Sequence, residues 1–341
     1  MNIVLTANIV PFMPGGADYH IQGVIHELRK AGHQVEAIRF PFRFSPEADI
    51  QNLMDYCDSL NFEHFNGISV DKVISLQFPA YGVQHPDHTV WIMHQHRAVY
   101  ELYEADKAGK QLQGLRDKVV SYDNYALGRA RQLFANSGRV AERLKQFNQL
   151  VAEPLYHPPY MADSFYNEED YGYIFCPSRL ESLKRQTLLI EAMRYCQTDV
   201  KAIIAGDGGQ KEHYQHLIEL YQLGDKVRLI GRFSEQEKFA YYARALAVFF
   251  APFDEDYGYI TLEGMLSAKP VITCTDSGGP LEFVEHDKTG FVLEPDPEQI
   301  AEKLDQLYQN RKLAADMGQE GLSAYHAANI SWPNVVEKLL R

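Results

Sequence analysis

Two glutamates, Glu255 and Glu263, stand with seven residues between them around a short glycine-containing run. The apolar residues 245–251 before them predict a buried strand, and residues 259–268 predict a helix. The first turn of a helix has unpaired backbone N–H groups and the positive end of the helix dipole, which together favour a phosphate. The predicted phosphate seat consists of Gly258, Tyr259, Ile260 and Thr261.

The two carboxylates are predicted to contact different parts of a phosphate-containing ligand. Glu263 lies one turn inside the predicted helix, where its carboxylate can accept hydrogen bonds from both hydroxyls of a ribose. Glu255 precedes the seat and would face the group that the far phosphate carries. The pattern of strand, acidic loop and helix therefore predicts a nucleotide whose far phosphate bears a further group.

Two basic side chains follow the strand predicted over residues 173–176. Arg179 comes shortly after this strand and Lys184 lies just inside the next helix, so both can reach a diphosphate. Arginine supplies a planar fork of donors and lysine a mobile point charge, so together they can neutralise a departing nucleoside diphosphate without a metal ion. The neighbouring Arg185 is predicted to face solvent.

Glycines and histidines follow strands in the first half of the chain. Gly15 and Gly16 come after the first predicted strand, where backbone N–H groups can approach a phosphate or sugar; an ordinary glycine turn is the alternative. The run is not a G-x-G-x-x-G dinucleotide fingerprint. His94 follows the strand predicted over residues 89–93, with His96 two positions on. An H-x-H pair can bind a metal, but no acidic or thiol partner stands at ligand spacing, and capping or packing is the other alternative.

Two further turns follow strands in the second half. Residues 206–209 are predicted to form mostly a turn. Arg232 and Phe233 follow a glycine at the end of another strand, where they either contribute to a ligand site or form a strand-to-helix turn. Ser234 and Glu237 have the spacing of a capping box for the next helix, and both interpretations can hold together.

These blocks occur in the order found in a known family. The chain resembles the retaining nucleotide-sugar glycosyltransferases of GT-B fold that carry a Glu, seven residues, Glu motif, the glycosyl transferases group 1 or family 4-like group. The resemblance spans nearly the whole chain. It rests on Gly15-Gly16, His94, Ser178-Arg179 with Lys184-Arg185, Gly206-Asp207-Gly208, Gly231-Arg232-Phe233, the paired glutamates, and Lys269-Pro270-Val271-Ile272 running into Gly278-Gly279.

The resemblance implies a role for each block. His94 would contact the transferred sugar, and the backbone at Arg232 and Phe233 would hold the base. Glu255 would hold the sugar and Glu263 the ribose. The implied reaction is retaining transfer of a hexose-type sugar from a UDP- or GDP-sugar to a glycan, lipid-linked or small-molecule acceptor, with no metal or other cofactor. The implied catalytic residues are His94, Arg179, Lys184 and Glu255.

The chain departs from the family pattern at two positions. Tyr257 stands where Phe is usual, and Gly264 stands where Ala is usual. A glycine inside a helix costs roughly 1 kcal/mol relative to alanine, so Gly264 either allows close packing or softens this helix. Neither position carries a predicted ligand group.

Strand-like and helix-like segments alternate along the chain, which predicts an α/β fold with parallel sheets and helices on both faces. The break falls near residues 154–170, where paired prolines and an acidic run are typical of a linker. We expect two Rossmann-like, doubly wound domains facing a cleft, with residues 1–160 on the acceptor side and residues 161–326 binding the nucleotide sugar. The resemblance implies that a C-terminal helix, residues 327–341, crosses back onto the first domain.

The charge balance narrows the range of partners. A formal charge of −13 over 341 residues disfavours nucleic acid and anionic lipid as general partners, because both are bound mainly through Lys and Arg. Residues 1–160 carry 15 Lys and Arg against 17 Asp and Glu, and the remainder carries 18 against 29. The near-neutral first half is therefore the part suited to a membrane-borne acceptor. The sequence does not predict an oligomeric state.

Cysteine usage and hydropathy indicate the compartment. The four cysteines form no C-x-x-C pair, which argues against a zinc site or a disulfide framework and favours a reducing cytoplasm. The N-terminus lacks a basic leader, and no apolar stretch approaches the roughly 18 residues that a spanning helix needs. We expect a cytoplasmic protein with at most peripheral contact with the inner membrane face.

Other functions fit parts of the same pattern. A nucleotide-sugar epimerase of this fold would act on the donor without an acceptor, and a nucleotide-sugar binding protein would show no turnover. An NAD-dependent oxidoreductase is disfavoured by the missing fingerprint. Asp254-Glu255-Asp256 also resembles the acidic metal triplet of the other large glycosyltransferase fold, but the two-domain pattern and the Arg/Lys pair make a metal unnecessary.

Overall fold

The structure is a computed structural model that describes residues 1–12 and 15–341. It divides into two compact units. Unit 1 consists of Met1–Tyr160 together with Ser331–Arg341, and unit 2 consists of Met161–Ile330. Each unit has its own sheet and its own hydrophobic core.

Unit 1 is built on a six-stranded parallel sheet. The strands of unit 1, including two outside this sheet, are β1 (Asn2–Ile9), β2 (Gln34–Pro41), β3 (His64–Phe65), β4 (Ile68–Ser69), β5 (Lys72–Ser75), β6 (His88–Ile92), β7 (Gln132–Ala135) and β8 (Glu153–Pro154). Its helices before the linker are α1 (Gly16–Lys30), α2 (Glu47–Asp58), α3 (Lys110–Gly128) and α4 (Gly138–Asn148). The sheet order is β2-β1-β5-β6-β7-β8, while β3 and β4 form a separate antiparallel pair. The chain therefore changes direction across the sheet between β1 and β5.

Both faces of this sheet are covered, as the alternation of β1 shows. Ile3 and Leu5 point to the face packed by α1, while Val4 belongs to a cluster on the other face. Successive side chains of a strand point to opposite faces, so a strand that is apolar at every position must be buried on both. The hydrophobic run at the N-terminus is thus explained by a central strand of a two-faced sheet.

Unit 2 has the same plan. Its strands are β9 (Tyr173–Pro177), β10 (Lys201–Ala205), β11 (Val227–Gly231), β12 (Ala247–Phe249), β13 (Val271–Cys274) and β14 (Gly290–Leu293). Its helices are α5 (Gln186–Ala192), α6 (Lys211–Leu220), α7 (Glu235–Ala243), α8 (Tyr259–Leu266), α9 (Pro297–Gln309) and α10 (Arg311–Ala327). All pairings are parallel, in the order β11-β10-β9-β12-β13-β14. The predicted doubly wound α/β architecture is confirmed, whereas β8, β14 and the β3–β4 pair were not predicted.

The last helix, α11 (Trp332–Leu340), packs within unit 1, as predicted. Ser331 caps it by accepting a hydrogen bond from the N–H of Asn334 at 3.4 Å. Val335 and Leu339, one turn apart on the same face, are fully buried in the cluster that contains α1. Three residues between the end of α10 and the N-cap are therefore enough for the chain to return to its first unit.

Helix α8 lies close against the sheet of unit 2 because it carries Gly264. A Cβ at this position would lie 3.0 Å from Val271 Cγ2 and 3.2 Å from Val248 Cγ2. Of the two explanations for the departure from alanine, close packing of the helix on β12 and β13 is the one that the structure supports.

The cysteines and the length of the helices complete the description. All four cysteines are buried free thiols. Within residues 1–12 and 15–341, we find no helix whose length and apolar character would let it cross a membrane.

The first prediction concerns acid lability. Burial lowers the pKa of His20 and of His88 to about 3 from the usual 6.5, and lowers the pKa of His157 well below 6.5. The unfolded chain binds protons below pH 6.5 that the folded chain does not, so stability present above pH 6.5 is lost as the pH falls. At pH 5, His20 and His88 are each expected to cost about 2 kcal/mol of unfolding free energy.

Urea unfolding at pH 7 and pH 5 measures this loss. His20→Phe, which keeps an aromatic ring beside His157 and Trp91, should show a smaller pH effect than the wild type. The matched control is His26→Asn, because His26 lies exposed on the same helix. An equal loss of stability in His20→Phe and wild type would contradict the assignment.

The second prediction concerns helix α8. Gly264→Ala gains roughly 1 kcal/mol of helix propensity but pushes a methyl group into Val271 and Val248, and overpacking of this kind typically costs 1–3 kcal/mol. We expect net destabilisation of unit 2 in denaturant titrations. Gly114→Ala is the control, since a Cβ there meets nothing within 4 Å in an exposed part of α3, and it should stabilise unit 1 slightly.

Candidate active site

The predicted ligand-binding residues of unit 2 lie at the carboxyl ends of its strands. From β9 the chain moves outward through β10 to β11, then returns to the other side of β9 as β12. The connections leave the sheet in opposite directions at this point, which makes a crevice between the β9 and β12 loops the expected ligand site of an open α/β sheet. Arg179 and Lys184 follow β9, and Glu255 follows β12.

The loop that carries Arg179 rests on the turn after β10. Ser178 donates its N–H to Ala205 at 2.9 Å, and Leu180 donates to Asp207 at 3.0 Å. Gly206 has φ +135°, and a Cβ there would lie 1.8 Å from the Ser178 carbonyl oxygen. The turn predicted at residues 206–209 therefore has a structural function, which is to support the Arg179 loop.

The two predicted cations differ in their surroundings. The Arg179 side chain is exposed, and its guanidinium has no hydrogen-bond or ion-pair partner among the described residues. Lys184 forms an ion pair with Glu255, and the two side chains are 17% and 20% exposed. The structure thus brings together two residues that lie far apart in sequence and that were predicted to serve one ligand.

Arg185 does not face solvent, so this prediction was wrong. Its guanidinium donates to both carboxylate oxygens of Asp276, at 2.7 and 2.6 Å, and to the carbonyls of Ala251 and Pro252, each at 2.9 Å. The side chain is 17% exposed. The error arose because the acceptors come from loops after β12 and β13, which local sequence does not place beside Arg185.

The loop from β12 to α8 is fixed by its neighbour after β13. Glu255 donates its N–H to Ser277 and accepts a hydrogen bond from the N–H of Gly279, at 2.9 and 2.8 Å. Gly258, with φ +85°, forms the N-cap of α8, a backbone conformation that glycine adopts without strain. The predicted helix start at Tyr259 is confirmed, and the Glu255 side chain projects from a rigid turn.

The first turn of α8 contains the predicted phosphate seat. Tyr259 and Ile260 are half-buried there, whereas Thr261 is fully buried. Thr261 donates its N–H to Gly258 at 3.0 Å, and no described residue is a partner for its buried hydroxyl. Thr261 is therefore turned into the protein, and phosphate binding by this turn stays a prediction.

Glu263 is held by two residues of α7 that the sequence did not indicate. Tyr242 donates its hydroxyl to one carboxylate oxygen at 2.6 Å, and Lys238 lies 3.4 Å from the other. Burial raises the pKa of the Glu263 carboxyl, while the Lys238 charge and the Tyr242 hydrogen bond oppose this shift. Lys238 and Tyr242 are spaced as neighbours on one helix face, but nothing in that spacing identifies Glu263 as their partner.

The turn after β11 is more exposed. The Arg232 side chain is 84% exposed and its Nε lies 3.1 Å from Asp207. Phe233 is half-buried, with its ring edge-on to Phe175 at 6.2 Å. The capping box is confirmed, because Ser234 accepts from the N–H of Glu237 and the Glu237 carboxylate accepts from the N–H of Ser234. The base-binding role of Arg232 and Phe233 stays a prediction.

His94 of unit 1 is exposed at the carboxyl end of β6. Its Nδ1 lies 2.8 Å from the Gln95 carbonyl oxygen, which can only accept, so Nδ1 is the donor of this hydrogen bond. His96 instead stacks on Phe78 at 5.4 Å, and burial lowers its pKa to about 4. The two imidazoles therefore have different environments, and the contact of His94 with a sugar stays a prediction.

A buried polar network behind His94 was missed in the sequence. Asp123 is fully buried and accepts hydrogen bonds from Tyr81 at 2.5 Å and Tyr100 at 2.6 Å. Burial raises its pKa to about 7. Gln95 joins the network by donating to Asn148 at 2.6 Å, and Asn148 donates to Tyr100 at 3.3 Å. These residues come from separate helices and loops, so no local motif signals them.

Gly15 and Gly16 mark the start of α1. The N–H of Gly15 donates to the Asp18 carboxylate at 3.0 Å, and Asp18 also accepts from Arg39 at 2.7 Å. The acidic side chain in the first turn thus occupies the position where an anionic ligand was expected to approach Gly15. The preceding Pro14 lies outside the described residues.

Comparisons with known proteins agree with this architecture. Residues 162–323, which lie within unit 2, match the family model described as glycosyl transferases group 1. The alpha-1,3/1,6-mannosyltransferase ALG2 of Homo sapiens is 34% identical over 160 residues, covering 42% of this chain and 38% of that protein. The N-acetylgalactosamine-N,N'-diacetylbacillosaminyl-diphospho-undecaprenol 4-alpha-N-acetylgalactosaminyltransferase of Campylobacter jejuni is 31% identical over 127 residues, covering 37% of this chain and 34% of that protein.

The whole chain is similar in fold to a solved structure. The crystal structure of Anabaena Alr3699/HepE in complex with UDP and glucose superposes with a TM-score of 0.72 and 16% sequence identity, covering 100% of this chain and 98% of that chain. The chain spans well under two thirds of the lengths of these two sequence relatives. Residues 162–323 therefore match the glycosyl transferases group 1 family model, and the fold of the chain is GT-B.

Proposed function

We propose that this protein is a glycosyltransferase that moves a hexose-type sugar from a nucleoside diphosphate sugar to an acceptor. The observation that carries the proposal is the ion pair between Lys184 and Glu255 at the point where the sheet of unit 2 reverses direction. Arg179, which has no partner among the described residues, follows the same strand as Lys184. Two cations, a carboxylate and the start of α8 on adjacent loops suit a ligand with a diphosphate and a hydroxyl-rich group.

The cations stabilise the leaving group in this proposal. Negative charge develops on the diphosphate as the bond to the sugar breaks, and fixed positive charges lower that barrier. No described residue is bonded to the Arg179 guanidinium, so its N–H donors are available for a phosphate. Lys184 has three N–H donors, so it can keep its bond to Glu255 while it donates to a phosphate oxygen. Since both charges are already in place, we propose that no metal ion is needed.

In this proposal, the two glutamates bind different parts of the ligand. The carboxylate of Glu255 has acceptor positions beyond the one used by Lys184, and these can receive hydroxyls of the transferred sugar. Glu263 similarly has lone pairs beyond those used by Tyr242 and Lys238, which can receive the ribose hydroxyls. The anchoring by α7 would fix Glu263 in one orientation before the nucleotide arrives.

The relatives guide the proposal for stereochemistry and acceptor. The names of the Homo sapiens and Campylobacter jejuni relatives both specify an alpha linkage. An enzyme that retains the configuration forms such a linkage from an alpha-linked nucleotide sugar. The Campylobacter relative is named for an acceptor attached to diphospho-undecaprenol. We therefore propose retention, a glycan or lipid-linked acceptor, and a cytoplasmic enzyme that meets such an acceptor at the membrane surface.

A direct experiment begins with a thermal-shift screen of UDP, GDP and their common hexose conjugates. Donors that stabilise the protein are then incubated with free glycans or with lipid-linked sugars, and products are separated by chromatography. Sugar transferred to an acceptor supports the proposal. Conversion of the donor sugar without an acceptor would indicate an epimerase, and binding without any conversion would indicate a binding protein.

The third prediction is that transfer survives metal removal. Arg179 and Lys184 supply the charge that a metal would otherwise provide. The rate of transfer in roughly 5–10 mM EDTA should therefore stay within about twofold of the untreated rate. The transfer assay with and without chelator measures this. Loss of activity that Mg²⁺ or Mn²⁺ restores would contradict the prediction and assign Asp254-Glu255-Asp256 as metal ligands.

The fourth prediction separates the two glutamates. Glu263→Gln keeps an acceptor for Tyr242 but removes the charge, so it should raise the donor KM and weaken free UDP or GDP binding by about tenfold or more. Glu255→Ala acts beside the reacting sugar, so it should lower kcat by roughly 10- to 150-fold while free nucleotide binds nearly as in the wild type.

Calorimetry with free nucleotide and steady-state kinetics distinguish these effects. Tyr242→Phe is the control for Glu263, because it removes one support of the carboxylate without touching the predicted ribose contact. It should leave nucleotide affinity within about threefold of the wild type. If Glu255→Ala weakened free-nucleotide binding more than Glu263→Gln did, the assignment of Glu255 to the transferred sugar and Glu263 to the ribose would be wrong.

A further inference from the structure

Arg185 binds three loops of unit 2 together. It stands between the helical turn Ser182–Lys184, which follows β9, and the start of α5. Its donors reach the carbonyls of Ala251 and Pro252, which follow β12, and the carboxylate of Asp276, which follows β13. Four hydrogen bonds of 2.6 to 2.9 Å from one guanidinium therefore link the segments after three neighbouring strands.

Two of these three loops, those after β9 and β12, carry groups proposed to act on the donor. Lys184 precedes Arg185 in the chain, and Glu255 comes three residues after Pro252. Backbone bonds reinforce the link, since Phe253 donates to Leu183 at 2.8 Å and Glu255 donates to Ser277 at 2.9 Å. A shift of the β12 loop away from the β9 loop would therefore separate Lys184 from Glu255.

The shape of the guanidinium suits this role better than an ammonium would. A planar fork can bind a carboxylate through two parallel bonds and still present Nε to a carbonyl, whereas a lysine offers one point charge. Arg185 also adopts φ +51°, a left-handed conformation that few residues other than glycine, asparagine and aspartate adopt readily. The local backbone is held in this conformation while the side chain makes all four bonds.

We propose that Arg185 is a positioning residue for sugar transfer, which keeps Lys184 and Glu255 at the separation that the reaction requires. This inference rests on the proposed function. Arg185 itself does not touch the donor, because its side chain is only 17% exposed and four of its five donors are bonded within the protein. Its effect is exerted through the two residues that the loops carry.

The experiment compares Arg185→Ala, Arg185→Lys and Asp276→Asn with the wild type. For each variant, kcat, donor KM and free-nucleotide affinity are measured at a temperature where circular dichroism shows the folded state. We expect kcat to fall roughly 10- to 100-fold in Arg185→Ala, because small misplacements of catalytic groups cost rates of that order. Donor KM and nucleotide affinity should change by less than about threefold.

Two further results sharpen the test. Arg185→Lys should restore little of the lost rate, since an ammonium cannot make the four bonds, whereas guanidinium ion added to Arg185→Ala should restore part of it. Asp276→Asn should cause a smaller loss in the same direction, and the double variant with Arg185→Ala should lose less than the product of the two single losses. Asp276→Asn also keeps the proposal testable if Arg185→Ala does not fold.

Arg244→Ala is the matched control. This arginine is paired with Glu168 elsewhere in unit 2, and its loss should leave kcat unchanged. Wild-type kcat in folded Arg185→Ala, or an equal loss in Arg244→Ala, would overturn the positioning role while leaving the proposed function intact. A wild-type protein that transfers sugar from none of the donors tested would overturn the proposed function and this role with it.

Discussion

β9 and β12 pair directly although β10 and β11 lie between them in sequence, and the site of unit 2 depends on this pairing. The crossover brings the segment with Arg179 and Lys184 beside the segment with Glu255. Parallel strands direct all their carboxyl ends to one edge, so the side chains that follow them converge there without any local signal. The ion pair between Lys184 and Glu255 is the direct consequence.

Backbone packing then sets how firmly these loops are held. Gly206 allows the turn after β10 to touch the Ser178 carbonyl, and Gly279 donates its N–H to Glu255 from the turn after β13. The Arg185 guanidinium adds side-chain bonds across the same region. Loops fixed in this way lose little entropy when a ligand arrives, which is the usual advantage of a preorganised site.

Buried charge is used here for orientation more than for stability. Glu263 is largely removed from water, and a carboxylate in that position carries a desolvation cost that Lys238 and Tyr242 offset. A hydrophobic residue of similar size would pack at lower cost, so stability does not explain the triad, which holds the carboxylate in one orientation one turn inside α8. Asp123 of unit 1 shows the same feature with neutral donors, because two tyrosine hydroxyls hold its carboxyl behind the loop of His94.

The sequence by itself determined the alternation of strands and helices, the parallel sheets and the start of α8 at Tyr259, because hydrophobic period, caps and glycines act over a few residues. The return of α11 to unit 1 was expected only from the family resemblance. The sequence also placed Arg179 and Glu255 in loops after strands, whereas Lys184, expected just inside the next helix, ends a short helical turn before α5. Only the tertiary structure decided that Lys184 pairs with Glu255, that Arg185 turns inward to Asp276, and that Lys238 and Tyr242 hold Glu263. Each of these contacts joins residues from different βα units, and their spacing along the chain carries no information about which loops a parallel sheet brings together.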